Sequence, residues 1–172
     1  MYTDPTGRFL VPSTKVNDYI LCGYYYDSNH VFAEPMKNRK KASQIKAFTT
    51  IIKKMKAAGQ RPTFHILDNE VSTDLIAFLK SNENITVQLD PDRCHRRNAA
   101  ERAIITLKNH FISGLCTAHQ HSPFKKWYSL LPQAVITFNL LHTSRLNPKL
   151  SALTSLTDST TSMLLRWRPR GP

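Results

Sequence analysis

The stretch "FHILDNE" (residues 64–70) contains a short, mostly apolar run that ends on an aspartate. Phe64, Ile66 and Leu67 have the pattern of a central strand, because a strand covered on both faces reads as a nearly continuous apolar run. Asp68 then falls at the C-terminal end of that strand. Its carboxylate can act as a turn residue, as the N-cap of the next helix, or as one ligand of a metal site. The rest of the sequence is needed to choose among these interpretations.

The composition predicts one domain with a strongly basic surface. The chain has 172 residues, of which 41% are hydrophobic, enough for a sizeable core. Its 24 Lys and Arg residues outnumber 12 Asp and Glu residues, and the formal net charge of +12 favours a nucleic acid as partner. No apolar run approaches the roughly 20 residues of a membrane-spanning helix, and the N-terminal segment lacks the apolar core of a secretory signal. We therefore expect an intracellular protein, in the nucleus or the cytoplasm, with no membrane partner.

Four segments besides residues 64–67 have strand patterns. Residues 19–34 form two aromatic and β-branched runs on either side of residues 27–29, which is typical of a β-hairpin. Residues 1–11 supply a strand before them, and residues 85–89 alternate apolar with polar side chains. Together these segments predict five strands.

Helical spacing of apolar residues appears in four places. Residues 45–55 predict an amphipathic helix, residues 75–79 a short helix, and residues 98–111 a longer one. A further helix is expected over residues 124–141, where Pro132 should kink or divide it. The predicted order is therefore β, β, β, α, β, α, β, followed by helices.

This order predicts an α/β domain, a mixed five-stranded sheet flanked by helices. Such a sheet collects ligands at strand ends, where Asp68 is predicted to lie. After Pro148 the sequence is rich in Ser and Thr, without clear periodicity. We therefore predict a domain over residues 1–148 and a tail with little packed structure over residues 149–172.

Two further acids are candidate partners of Asp68 in a metal site, since Mg²⁺ is held by hard oxygen ligands. Asp4 lies in the first predicted strand, although the sequence of residues 4–7, "DPTG", is also a fair turn sequence. Glu101 flanks the apolar stripe of the helix predicted from Asn98. Asn98 followed three residues later by Glu101 also matches a capping box. The local sequence leaves both alternatives open.

Four segments, in this order, resemble the catalytic core of retrotransposon and retroviral integrases: "YTDPTGRF", "DYILCGYYYDSNHVFAEPMKN", "HILDNE" and "HRRNAAERAIITLKNHF". The resemblance is greatest to cores carried by transposable elements with long terminal repeats, and it covers roughly residues 2–148. It implies a ribonuclease-H-like fold with a D,D,E metal site. Asp4, Asp68 and Glu101 match the three positions of that site, both as catalytic residues and as metal ligands.

The resemblance also implies an activity. Two Mg²⁺ or Mn²⁺ ions, roughly 4 Å apart, would activate a water or a DNA 3′-hydroxyl and stabilise the leaving oxygen. The reaction would be 3′-processing of element DNA ends and their transfer into target DNA, carried out by a homo-oligomer. Nucleic-acid contacts are expected from four cations near Glu101, which can also be explained as a solvated helix face: Arg96, Arg97, Arg102 and Lys108.

Two alternative functions follow from the same residues. Only three residues precede Asp4, so the first strand is predicted to be short and the core truncated at its N-terminus. A poorly anchored ligand would leave a catalytically inactive, nucleic-acid-binding relic of a transposable element. A ribonuclease that cuts RNA in hybrids is the other alternative. It is disfavoured because residues 46–56 supply no fourth acid.

Overall fold

The computed structural model describes residues 1–9, 11–67, 73–82, 85–89, 95–118 and 123–157, with the backbone alone for residues 73, 74, 82 and 95–100. The five strands are β1 (Tyr2–Pro5), β2 (Tyr19–Tyr25), β3 (His30–Met36), β4 (Phe64–Leu67) and β5 (Thr86–Leu89). The α-helices of the described ranges are α1 (Lys41–Ala57), α2 (Thr73–Asn82), α3 (His95–Cys116), α4 (Trp127–Leu141) and α5 (Ala152–Thr157), and a 3-10 turn, Phe124–Lys126, precedes α4. Within the described ranges, no helix is both long and apolar enough to cross a bilayer.

The strands form one mixed sheet in the order β3-β2-β1-β4-β5. The pairs β1–β2 and β2–β3 are antiparallel, and the pairs β1–β4 and β4–β5 are parallel. The predicted five-stranded mixed sheet and the predicted hairpin, now β2–β3, are confirmed. Because β1 and β4 are parallel neighbours, their C-terminal ends lie at the same edge of the sheet.

The two faces of the sheet carry two separate hydrophobic clusters. On one face, α1 and α2 pack against the strands. The buried side chains of this cluster include Phe48, Ile51 and Met55 of α1. On the other face, α3 and α4 bury Leu107 and Trp127, among others. These faces are named the α1 face and the α3 face. Each helix buries one apolar stripe, as its 3.6-residue periodicity predicts.

The helix α4 runs from Trp127 to Leu141 with Pro132 inside it, so of the predicted kink or division at Pro132 the division is wrong. A proline inside a helix costs about 3 kcal/mol, because it removes one hydrogen bond and crowds the preceding turn. Buried residues on both sides of Pro132 offset that cost by packing onto the same sheet, including Leu131 before it and Phe138 after it.

The side chain of Asn139 fixes α4 to the edge strand β3. Its Oδ1 accepts a hydrogen bond of 2.8 Å from the Val31 backbone N–H, and its Nδ2 donates one of 2.8 Å to the Val31 carbonyl. The amide thereby satisfies backbone groups that a further strand would otherwise pair.

The predicted low-order tail needs a correction in its first part. Residues 152–157 form the helix α5, in which Ala152 and Leu156 are buried and Leu156 joins the α1-face cluster. The segment is too short for its periodicity to stand out in the sequence, and burial against the domain stabilises it instead. Residues 158–172 lie outside the described part of the chain.

Candidate active site

Asp4 lies in the strand β1, near the edge where β1 and β4 end. Asp4 and Pro5 pair with Cys22 and Leu21 of β2, so the alternative interpretation of residues 4–7 as a turn starting at Asp4 is wrong. Alternate residues of a strand face opposite sides of the sheet. Tyr2 belongs to the α3-face cluster, so Asp4, two residues further on, points to the α3 face as well.

Glu101 lies on α3, the helix that packs on that same face. Because α3 begins at His95, Asn98 is already inside the helix and Glu101 lies in its second turn. The capping-box interpretation therefore does not hold, since a capping residue must precede the first helical residue. Ile104 and Leu107 follow Glu101 on the buried side of α3, which lies against β1 and β2. The structure thus places Asp4 and Glu101 on the same face of the sheet.

Lys108 reaches the same end of β1. Its Nζ lies 3.8 Å from the position that a Cβ would occupy at Gly7, three residues after Asp4. Both charged groups act on the buried thiol of Cys22, the residue paired with Asp4 in the sheet. Burial raises the pKa of Cys22 to about 12, the Asp4 carboxylate adds to the rise, and the Lys108 ammonium opposes it. A carboxylate and an ammonium thus share the neighbourhood of one side chain.

The other predicted site residues divide into two groups. The strand β4 ends at Leu67, directly before Asp68, but Asp68 itself lies outside the described residues, as do the side chains of Arg96 and Arg97. Arg102 is described, and it lines a cavity between α3 and the β2–β3 hairpin. Where side chains are described, no group of three His, Cys, Asp or Glu residues is arranged to hold a metal ion. The predicted trio remains a prediction because Asp68 is not part of that set.

A buried hydrogen bond that sequence reasoning missed joins β1 to β4. Thr3 Oγ1 lies 3.0 Å from His65 Nε2, and the fully buried His65 ring packs 4.8 Å from the ring of Phe48. Burial lowers the pKa of His65 well below its usual value, so the ring stays neutral. The signal in the sequence was a histidine inside an apolar strand, three residues before Asp68. This bond ties β1, which contains Asp4, to β4, which ends directly before Asp68.

Three solved structures are similar to the chain at low sequence identity. A chain of the simian T-cell lymphotropic virus intasome, solved by cryo-EM with the PP2A regulatory subunit B56 gamma, is 18% identical with a TM-score of 0.69. The catalytic core domain of BIV integrase is 15% identical with a TM-score of 0.65 over 97% of both chains. The HTLV-2 integrase catalytic core domain, solved with magnesium in a trimeric form, is 18% identical with a TM-score of 0.65 over 89% of this chain and 92% of that one.

These similarities define the class of fold. No protein-family model matches the chain, and no curated protein matches it. The chain has the ribonuclease-H-like fold of retroviral integrase catalytic core domains, as the sequence motifs predicted. The match to the simian virus structure covers 99% of this chain but 55% of the viral chain, so this chain spans about half of that protein.

Proposed function

We propose that the chain is an integrase-type core that binds DNA and catalyses metal-dependent phosphoryl transfer. One observation carries the proposal. In the parallel pair β1–β4, Tyr2 is paired with Ile66, and each of these residues lies two positions before a candidate aspartate. The α3 face of the same sheet also carries the helix with Glu101. The integrase core fold of the neighbouring structures supports it.

The proposed ligands are Asp4, Asp68 and Glu101, whose carboxylate oxygens are the donors that Mg²⁺ and Mn²⁺ prefer. Two bound ions would activate the attacking oxygen and stabilise the leaving one. Asp4 is partly exposed at the end of its strand, where a phosphate of the substrate can approach. The HTLV-2 core was solved in complex with magnesium, which agrees with a divalent ion in this fold.

Lys108 would hold a DNA phosphate beside the metal ligands. Its ammonium lies close to Gly7, at the end of β1, so a strand bound at Asp4 would pass within its reach. Arg96, Arg97 and Arg102 belong to the same helix and add positive charge to a chain with a formal net charge of +12. DNA ends and target DNA are the proposed partners.

The proposal is tested by Mn²⁺-dependent nicking and strand transfer on short duplex DNA. We expect Asp4→Asn, Asp68→Asn and Glu101→Gln each to reduce the rate by at least about a hundredfold, because each removes one metal ligand. Glu34→Gln is the matched control: it removes a carboxylate of the same sheet that pairs with Lys54 at the surface, and it should keep the wild-type rate. Nicking that persists in Asp68→Asn would contradict the metal mechanism. DNA binding without any turnover would support the inactive relic.

We also propose that the chain self-associates through α4. The exposed side of this helix presents large apolar residues, Leu130, Ile136, Leu140 and Leu141. The HTLV-2 cores were solved in trimeric and dimeric forms, which agrees with association of this fold.

Light scattering should find an oligomer for the wild-type chain and a smaller species for the double variant Leu140→Glu and Leu141→Glu. The control Leu89→Glu, which changes an exposed leucine on β5, should keep the wild-type size. Equal sizes for all three proteins would contradict association through α4.

A further inference from the structure

A cavity of about 270 Å³ lies at the hairpin end of β2, on the α3 face of the sheet. It is bounded by the β2–β3 hairpin, the first half of α3 and the C-terminal end of α4, and is named the hairpin cavity. Tyr24, a lining residue, pairs with Tyr2 at the start of β1, whereas Asp4 pairs with Cys22 nearer the other end. The hairpin cavity therefore lies away from Asp4, while its lining residue Arg102 directly follows Glu101 in α3.

The charged residues that line the hairpin cavity are positive. Two of its lining residues are arginines, Arg102 from α3 and Arg145 from the segment after α4, and none of its lining residues is acidic. Asp27 in the hairpin turn is near enough to raise the pKa of Tyr24, after the larger effect of burial, and Glu101 precedes Arg102 in α3. The cavity wall itself carries two guanidinium groups, which favour an anionic ligand.

Arg145 is held in a defined orientation. Its Nε donates a hydrogen bond of 2.9 Å to Tyr24 Oη, and its guanidinium lies 4.6 Å from the centroid of the Tyr26 ring. Tyr24 Oη in turn donates to Asn29 Oδ1 at 2.9 Å, and Asn29 Nδ2 donates to the Thr143 carbonyl at 2.9 Å. The bond to Tyr24 uses the Nε–H, which leaves the N–H groups of both Nη atoms to bind an acceptor. A planar guanidinium matches two oxygens of a phosphate group.

The opposite wall supplies a stacked pair of rings. The His142 ring lies 4.0 Å from the Phe138 ring at an interplanar angle of 24°. His142 Nδ1 lies 2.9 Å from the Phe138 carbonyl, and because a carbonyl only accepts, Nδ1 carries the hydrogen and Nε2 is left to interact with a ligand. Binding cavities for small molecules start at about 300 Å³, so this one suits a phosphate with an attached sugar rather than a larger molecule.

We propose that the hairpin cavity is a phosphate-binding site in which Arg145 and Arg102 hold the anion. The phosphate can come from a nucleic-acid backbone or from a free sugar phosphate, which share the chemistry that the two guanidinium groups recognise. The backbone source rests on the proposed function, because it would give DNA a further contact on the α3 face. The site itself does not depend on that function.

The first test is an NMR titration of the whole ¹⁵N-labelled chain with inorganic phosphate, at constant ionic strength maintained with chloride. Saturable shifts are expected for backbone amides of residues 29–31, 102–106 and 142–145. Arg145→Gln should weaken the affinity by at least about tenfold, since it removes a charge-assisted pair of hydrogen bonds. The matched control is Arg61→Gln, an exposed arginine before β4, which should leave the affinity unchanged.

Two more variants protect the test from a folding defect, because Arg145 also contacts Tyr24. Arg102→Gln changes an exposed position of α3 and should weaken phosphate binding, and thermal unfolding of the same variant separates this loss from any change in stability. Arg145→Lys keeps the charge but lacks the planar guanidinium that can bind two oxygens at once. Its affinity for phosphate should therefore lie between those of the wild-type chain and Arg145→Gln. Shifts that spread over the basic surface without saturating, or equal affinities for the Arg102, Arg145 and Arg61 variants, would overturn the proposal.

Competition then identifies the source of the phosphate. A short DNA duplex without divalent metal, and ribose 5-phosphate, are each added to the phosphate complex. Displacement by the duplex assigns the site to a nucleic-acid backbone, and displacement by ribose 5-phosphate alone assigns it to a free sugar phosphate. Failure of both to displace phosphate would overturn the site as a physiological one. Asp4→Asn separates the two proposals: if it still nicks DNA the proposed function fails, while phosphate binding in that variant shows that the cavity does not depend on it.

Discussion

The two faces of the sheet differ in what they bury. The α1 face buries apolar side chains with almost no exposure, such as Phe48, Ile51 and Met55. The α3 face also has an apolar core, but charged groups border it: Asp4 and Lys108 at one end and the arginine-lined hairpin cavity at the other. The contrast indicates that packing on the α1 face holds β1 and β4 in register, while the α3 face carries the charged groups of the proposed site.

The largest effect that tests this contrast is expected from Phe48→Ala. Phe48 is buried in the α1-face core and packs on the His65 ring, so truncation leaves a cavity and should cost about 3–5 kcal/mol of unfolding free energy. Asp4→Asn, on the opposite face, should change stability far less while it abolishes nicking. Urea unfolding of both variants measures the difference. Equal losses of stability would contradict the division of roles between the faces.

A loss of stability is also expected on acidification. Burial lowers the pKa of His30 to about 4, although the Ala152 carbonyl partly opposes the shift, and burial lowers the pKa of His65 in the same direction. In the unfolded chain these two histidines bind protons near pH 6.5, whereas in the folded chain they bind protons only at lower pH. Stability is therefore highest above pH 6.5 and falls between pH 6.5 and about 4, with about 3 kcal/mol from His30.

Urea unfolding at a series of pH values checks this dependence. His30→Gln should flatten the acidic limb of the curve relative to the wild-type chain, because glutamine does not titrate. An unfolding free energy that is the same at pH 4.5 and pH 7.5 would rule out the assignment of these two buried neutral rings.

The smallest effect, on DNA affinity, is expected from removing one cation of the α3 face. Lys108→Gln should weaken duplex binding several-fold and reduce the slope of log affinity against log salt by about 1, because one phosphate contact is lost. Lys53→Gln removes an exposed lysine of α1 and should change neither quantity. Fluorescence anisotropy over a range of salt concentrations measures both. Identical slopes for the two variants would place the DNA away from the α3 face.

The site was only partly predictable from the sequence. Asp4 and Glu101 were identified by a resemblance of ordered motifs, and the structure places both on the α3 face. Arg145 was missed because it reaches Tyr24 across 121 residues of sequence. The Thr3–His65 bond spans 62 residues and was missed for the same reason. Contacts at such separations depend on which elements become neighbours, and local patterns carry no information about that.

The sequence by itself determined the order of the strands and long helices along the chain, the position of the hairpin, and the basic net charge. These features follow from local periodicity and composition, because alternation and 3.6-residue spacing state which side of each element must be buried. Only the tertiary structure decided that α4 continues through Pro132 and that residues 152–157 form a helix. Both depend on burial against distant parts of the chain, which offsets a local cost that the sequence alone makes unfavourable.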